Sequence, residues 1–469
     1  MEPVGREFVD AEIALLERLG PRLTGTPAHE ELIDHVADQW RDIGLTVHED
    51  RHVFTRWDPP TGGGLRLEVA GEPVEVSSAF PYSGATYGVS GPLRRLRGPL
   101  PRWKAARGGI AVIEVDNWLL PMSALVGTWD GSPPWDPMRH PLVPATLASA
   151  TMAGARRSAV TAVVFAWRGI TPDCAHGQYV PFTMPYQDTP ALFVAGDAAE
   201  TVLAAAERGA RAALTLRAAL TPESTTRTVW TVVEGTRRPQ ETVLVVSHSD
   251  GVNVVEENGH IGLTALARDV VADPPERTTV FVLTTAHLRI PAVTDHGQAT
   301  TRWLADHRDL WAGGRRAVAG LAIEHLGARE YRDDPATGRY GPTGDTEPEL
   351  LYATTRELKT LASLEWRDVR PGGTRMSRPG PLIHFGEGEP LWDRGIPAVA
   401  LVTTPQYLLS TTPGDHVDPD LLCRQVDAFR RLRRRLDVLP TRGFGTVARP
   451  NALARLAATV KVVAALLRR

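Results

Sequence analysis

The sequence predicts an α/β protein built on a largely parallel sheet with helices on both faces. Three observations point there. First, from Glu241 onward strand-length apolar runs alternate with helically spaced segments: strand 243–247, helix about 260–272, strand 279–285, helix about 297–311, strand 317–324. Parallel strands need crossovers, and the crossovers are usually helices that cover the sheet faces. Second, the apolar run VLVVS ends in His248, Ser249 and Asp250. Polar side chains therefore arrive at the C-terminal end of a buried strand, the edge at which open α/β sheets bind ligands. Third, Glu257 stands seven residues past Asp250, just ahead of Asn258, Gly259 and the next helical segment. A second carboxylate thus reaches a helix start near the same edge.

A chain of 469 residues is too long for one small core, so two or three domains are expected. With 42% hydrophobic and 23% charged residues the composition is that of an ordinary globular protein. A formal net charge of −3 gives no general signal for nucleic acid or another polyanion. The 38 prolines and 42 glycines are dispersed, which argues for many short elements and against coiled coil. Cys174 and Cys423 are the two cysteines, too few for a disulfide framework or a thiolate zinc site. The start is acidic and amphipathic, without the basic and apolar regions of a signal peptide, and no segment has eighteen consecutive apolar residues. The simplest expectation is a soluble, cytoplasmic protein with no membrane span.

In chain order, Val9, Ile13, Leu15, Leu16 and Leu19 mark one helical face, and Gly20-Pro21 stops that helix. Thr26 is the expected N-cap of a second helix, with Pro27 in its first position. LTVHEDRHVFTRW alternates like a strand, and residues 64–90 read as short strands with polar turns. A buried strand at 108–117 is followed by an irregular, Trp- and Pro-rich loop over 117–150. Residues 149–167 read as a small-residue helix and then a strand, 177–196 as a loop and then a strand, AAETVLAAAERGA as a helix, and 213–234 as two strands. Beyond the strand ending at 324, the sequence predicts a polar loop through YRDDPATGRYGPTGDTEPE, a helix at 347–362, a loop at 370–380, strands at 381–385 and 398–403, and a helix at 418–437. The tail NALARLAATVKVVAALLRR is an apolar helix with basic residues. Such a helix packs on its own protein, joins a second subunit into a homo-oligomer, or lies on a membrane surface.

Two readings of the 241–267 stretch stand on the residues alone. His and carboxylates converging at a strand end suit a divalent metal, zinc above all. They equally suit an ordinary strand-loop-helix with a hydrogen-bonded histidine. Among the neighbours, Glu256 reads as a solvated or capping carboxylate, Asp250 as a group that orients His248, and His260 and His325 as hydrogen-bonded pocket residues. Asp345 and Glu347 are candidates to line a pocket, although GPTGDTEPE has turn composition.

The order of these pieces resembles the zinc-dependent aminopeptidase, glutamate carboxypeptidase-like and glutaminyl cyclase-like family. LERLGPRLTGTPAHEELIDHVADQWRDIGLTV is similar to that family's opening, and GGIAVIEVDN, AGARRSAVTAVVFA and TPALFV resemble its protease-associated domain. The resemblance implies a doubly wound mixed sheet of the zinc-exopeptidase type with an inserted β-rich protease-associated-like domain. The expected divisions are an N-terminal helical part at 1–60, the insert at 61–225, the catalytic domain at 226–440 and a C-terminal amphipathic helix at 441–469.

The resemblance also implies site residues. The H-x-D motif is matched by His248, Ser249 and Asp250, and the position of the metal-bridging aspartate by Glu257. The general-base and ligand pair falls on His287 and Leu288, the later aspartate on Glu324, and the last ligand histidine on Thr411. A second zinc position is therefore expected to be lost, leaving one zinc per chain held by His248, Glu257, Glu324 and His287. Asp250 and His287 are the expected catalytic residues, with His260 or His325 able to join or replace a ligand. The function implied is hydrolysis of a peptide or aminoacyl amide, with a small-molecule or peptide substrate. The departures leave two other expectations in play, a non-catalytic binding or scaffold homologue, and a repurposed cyclase, acyltransferase or deacylase of specialised metabolism.

Overall fold

The computed structural model describes residues 2–98, 101–120, 122–131, 138–181, 186–288, 290–294, 297–370 and 374–467. Parts of the expected loops at 117–150, 177–196 and 370–380 lie outside the described residues.

Alternation of side chains along the strands builds a layered core. In the strand Arg238–His248, Val243 and Val245 face one apolar cluster while Leu244 and Val246 face another. The first cluster is closed by the helices Arg6–Leu19, Pro27–Asp42, Gly259–Ala272, Arg356–Glu365 and Pro419–Val438. The second is closed by Trp303, Leu304 and Leu391 from the opposite face. A strand buried on both faces must read as a continuous apolar run, as VLVV does.

This sheet has nine strands. Its centre is parallel: Arg277–Thr284, Arg238–His248, Arg316–Ile323 and Ala398–Thr403 lie side by side in that order. Ala219–Val233 and His48–Asp58 extend one edge antiparallel, and Glu349–Ala353 pairs antiparallel with Ala398–Thr403 on the other. From Arg238–His248 the chain steps first to one neighbour, Arg277–Thr284, and then crosses to the other, Arg316–Ile323. The order reverses there, so a crevice forms at the C-terminal end of Arg238–His248. Gly259 lets the following helix start deep in that crevice, because a Cβ there would strike the Ile323 carbonyl oxygen and the Ser247 hydroxyl.

A second, eight-stranded sheet is drawn entirely from strands between Leu65 and Leu216. It is mixed, with Thr86–Leu96, Ile110–Asp116, Ala162–Arg168 and Ala191–Val194 parallel at its centre. Its core stacks Phe80, Phe165, Phe193 and Trp167. Leu288 and Val252 belong to this same apolar cluster, so the second sheet packs against the loops that leave the larger one.

Several local expectations need correction. The polar stretch after Glu324 is a hairpin, Arg329–Asp334 with Arg339–Thr346, whose exposed strands carry no apolar alternation. The expected helix at 347–362 is a buried strand, Glu349–Ala353, followed by the helix Arg356–Glu365. Thr355 divides them, its hydroxyl accepting the Leu358 amide at 3.2 Å. No strand forms over 381–385; the short strand lies earlier, at Met376–Arg378. Thr26 caps the second helix as expected, accepting the His29 amide. The C-terminal helix Ala452–Leu467 leaves Leu453, Leu456 and Val460 exposed. Among the described residues no helix is long and apolar enough to cross a membrane.

Candidate metal centre

The crevice collects side chains from three adjacent strand ends. His248 is the last residue of Arg238–His248, Glu324 follows Arg316–Ile323 directly, and His287 stands three residues past Arg277–Thr284. Register explains the meeting: His248 lies opposite Thr284, and Val246 opposite Ala322. One potential ligand atom from each of His248, His287 and Glu324 falls within 4.8 Å of the others, and all three residues are buried.

The hydrogen bonds prepare these atoms. His248 Nδ1 lies 3.1 Å from the Asp250 carbonyl oxygen, which can only accept, so Nδ1 carries a proton and Nε2 faces Glu324 Oε2 at 3.5 Å. His325 is held in the same way, its Nδ1 donating to the Thr403 carbonyl at 2.9 Å and its Nε2 standing 3.7 Å from the same Glu324 oxygen. His287 stacks on His248 with ring centroids 3.7 Å apart, and its Nδ1 donates to Glu387 Oε1 at 2.7 Å. The Glu387 amide in turn donates to Glu324 Oε1 at 2.8 Å. Imidazole and carboxylate ligands are commonly oriented by such outer partners.

In this cluster three buried atoms are left without a hydrogen-bond partner among the described residues: His248 Nε2, His325 Nε2 and Glu324 Oε2. Orphaned buried polar atoms carry a desolvation penalty of about 1–3 kcal/mol each, and here they converge. Two imidazoles and a carboxylate form a zinc-competent donor set with room for further ligands. The residues present therefore fit a single divalent ion.

Electrostatics follow from burial and pairing. Burial works against the charged His248 imidazole, but the Glu324 carboxylate beside it prevails and lifts it to about 9. Glu324 is held below its usual range, since attraction to the His248 imidazole 3.5 Å away prevails over burial. Burial also opposes the charge on Glu387, yet the His287 hydrogen bond holds that carboxyl down at about 2. Burial pushes His325 down to about 4, so this imidazole is neutral near pH 7. Backbone geometry is unusual on both sides of the cluster. Ala286 and His325 have φ of 66° and 55°, the left-handed region that non-glycine residues avoid. Gly386 has φ 77°, and a Cβ there would strike Glu324 Oε1.

Of the four expected ligands, Glu257 does not join the cluster. Its carboxylate pairs with the Arg22 guanidinium, and both side chains are fully buried. Arg22 is anchored by the Leu16 and Asn253 carbonyls at 2.7 and 2.8 Å, so it holds Glu257 from the opposite side. Asp250, expected to be catalytic, has its carboxylate engaged by backbone and a hydroxyl. Its carboxylate accepts the His287 and Leu288 amides at 2.9 and 3.1 Å and the Thr24 hydroxyl at 2.7 Å. It fixes the backbone that carries His287, while its carbonyl orients His248.

Glu256 is not solvated but buried. Its Oε2 accepts the Val252 amide at 2.8 Å, and its Oε1 has no partner. Burial pushes its carboxyl up to about 7, within electrostatic reach of His287 and His248. His260 lies elsewhere, its Nε2 3.1 Å from Glu12 Oε2. Leu288 is buried apolar core and Thr411 Oγ1 donates to the Gly177 carbonyl at 3.1 Å, so neither offers a ligand. Glu387 is the residue that sequence reading missed. It lies 100 positions from His287, in a loop whose only local signal is a carboxylate between two glycines.

Fold and site together define a mixed α/β protein with a candidate single-metal centre at the switch point of its sheet. Solved structures it is similar to include aminopeptidases and an M28 peptidase. One is an aminopeptidase from Aneurinibacillus sp. strain AM-1 (14% identity, 96% of this chain and 95% of that chain covered, TM-score 0.62). A zinc aminopeptidase from Bacillus subtilis matches at 14% identity over 94% of this chain and 97% of its own, with TM-score 0.65. A peptidase M28 precursor from Shewanella amazonensis SB2B matches at 16% identity over 96% and 94%, with TM-score 0.64. At such identities the likeness establishes the fold, which is of the zinc-exopeptidase type. No family model matches the chain, and no curated protein sequence does.

Proposed function

We propose that this protein is a single-metal hydrolase of the aminopeptidase type, acting on a peptide or an aminoacyl amide, with His248, His287 and Glu324 holding the ion. The observation that supports this most is the convergence of these three buried groups within 4.8 Å at the switch point, two of them presenting orphaned atoms. His325 Nε2 is a fourth donor within reach of Glu324. A bound zinc supplies Lewis acidity toward a carbonyl oxygen. The rest falls to the chain. Glu387 sets the orientation and charge of His287, and Asp250 fixes the backbone on which His287 rides. Glu256, poised near neutrality with a free oxygen, is the group suited to take a proton. On this reading Glu256 takes the place of His287 as base, with His287 given to the ion. Residues 61–225 read as a protease-associated-like insert that covers the centre.

One observation favours a second reading, a metal-binding homologue without turnover. His248 and Glu324 have no exposed surface and His287 only 6%. A centre so closed suits a structural ion as well as a catalytic one.

Elemental analysis of protein purified without chelators separates these readings, with His248→Ala alongside. About one zinc per chain, absent from the variant, together with metal-dependent release of amine from aminoacyl amides, supports the hydrolase. One zinc with no turnover supports the second reading. No bound ion after incubation with zinc, manganese or cobalt removes both.

A further inference from the structure

A cleft of about 300 Å³ opens between the insert and the hairpin that follows the Glu324 strand. It is separate from the metal cluster in its lining: Leu119, Met138 and Arg139 come from the insert side, and Glu330, Arg332 and Glu347 from the hairpin side. A volume of this order accommodates a small organic molecule.

Glu347 is the unusual member. It is only 6% exposed, and its carboxylate makes no hydrogen bond or ion pair among the described residues. Its main chain is fully engaged, the amide donating to the Ala328 carbonyl at 2.9 Å and the carbonyl accepting from Arg370 Nη1 at 2.8 Å. The other charges in the cleft have partners. Arg332 Nη2 bonds Glu330 at 2.9 Å, Arg139 bonds the Asn117 carbonyl, and Asp333 accepts the Thr171 hydroxyl at 2.5 Å. The lining carries three carboxylates against two guanidiniums. One buried carboxylate is therefore left over, and native structures pair such groups. Leu119, Met138 and Pro348 supply an apolar wall beside it.

We propose that this cleft binds an organic primary ammonium group, with Glu347 as the counter-ion and the apolar wall holding the ligand's hydrocarbon stem. The inference does not rest on the metal reading. It is supported by the state of Glu347 in the empty cleft. Burial, with Glu330 nearby, pushes its carboxyl up to about 8, against the opposing pull of Arg370 and Arg332. Tyr407 and Tyr340 also feel or face this group and stay neutral, both phenols being raised by burial. An ammonium arriving at pH 7 therefore favours the ionised carboxylate and expels its proton.

The test is calorimetric titration of the full-length protein with n-pentylammonium, n-pentanol as the uncharged probe, in two buffers of different ionisation enthalpy. The expected result is saturable binding of the ammonium, at least about tenfold tighter than the alcohol, and a buffer-dependent heat reporting close to one proton released. Glu347→Gln should lose at least about tenfold in affinity while melting no lower than wild type, since it replaces a buried carboxyl that makes no hydrogen bond with an amide of the same shape. His248→Ala should bind the amine as wild type does, which separates this cleft from the metal centre. Equal affinity for ammonium and alcohol, a buffer-independent heat, or undiminished binding by Glu347→Gln overturns the proposal. So does absence of binding at tens of millimolar. If Glu347→Gln does not fold, the ammonium-to-alcohol ratio and the proton release decide on wild-type protein alone.

Discussion

Raising the pH of the metal-stripped protein should destabilise it through the His248–Glu324 pair. His248 sits at about 9 in the fold, because the Glu324 carboxylate outweighs the burial penalty. An unfolded chain returns it to about 6.5. A group whose folded value is raised contributes stability that is complete below pH 6.5 and is lost as the pH climbs through 9. At about 1.36 kcal/mol per unit, the full loss is about 3 kcal/mol, a large share of the 5–15 kcal/mol typical of a domain. Two other buried groups bear on the same curve. Glu256 at about 7 and Glu347 at about 8 are carboxyls with raised values. Each binds a proton more tightly folded than unfolded, so each lowers stability as pH rises from about 4.5 to its folded value. Above pH 8 their contribution is constant, while the buried Cys174 and Cys423 thiols, both raised, add a falling slope that wild type and variant share, so the difference between the two curves belongs to His248. Urea unfolding of chelated protein at half-unit steps from pH 6 to 10 measures it, with Glu324→Gln as reference. The wild-type curve should fall more steeply than the variant's between pH 8 and 9.5. Parallel slopes in the two proteins would refute the assignment. Excess zinc should flatten the wild-type curve as well, since the ion takes the place of the proton.

Glu387→Gln keeps the shape of the carboxylate but not the charge opposite His287, and should weaken zinc binding roughly 10–100-fold in a chelator competition with little change in melting. Arg22→Met leaves Glu257 buried without its cation and should cost about 3–5 kcal/mol in urea unfolding, whereas Arg22→Met with Glu257→Met should recover most of that loss. Gly386→Ala should destabilise by more than about 2 kcal/mol, because a left-handed conformation costs an alanine about 1–2 kcal/mol and the added methyl also meets Glu324. Gly338→Ala is the control, with φ 70° and open space around it, and should show the conformational cost alone.

How much of this was legible in the sequence depends on how local each signal is. The parallel strands and their helices could be read because a strand buried on both faces must be an unbroken apolar run, as VLVVS and TTVFVLT are. His248 could be placed because it ends such a run at the edge where ligands bind, whereas His287 and Glu324 were reached through the resemblance to the zinc-exopeptidase motifs. The hairpin after Glu324 escaped because its strands are exposed and polar, and a strand without a buried face has no period-two pattern to show. The 347–365 segment was misread because ELLYA and LKTLASL are both apolar, and the division between them lies in a single Thr355 cap. Glu256 and Glu257 are adjacent carboxylates with opposite surroundings, one unpaired near two imidazoles and one against Arg22. Nothing in the local sequence separates them, because Arg22 comes from more than 230 positions away. Glu387 was invisible for the same reason.

The Arg22–Glu257 pair has a bearing on what a chelator can do to this molecule. Where the two-zinc pattern asks for a removable cation beside the bridging carboxylate, this chain supplies a guanidinium tethered to its own N-terminal segment, which also bridges to Gly251 through the main chain. That positive charge cannot be extracted, exchanged or outcompeted. Stripping the ion should therefore leave the Glu257 half of the crevice neutralised and in place, and confine any rearrangement to the side occupied by His248, Glu324 and His325.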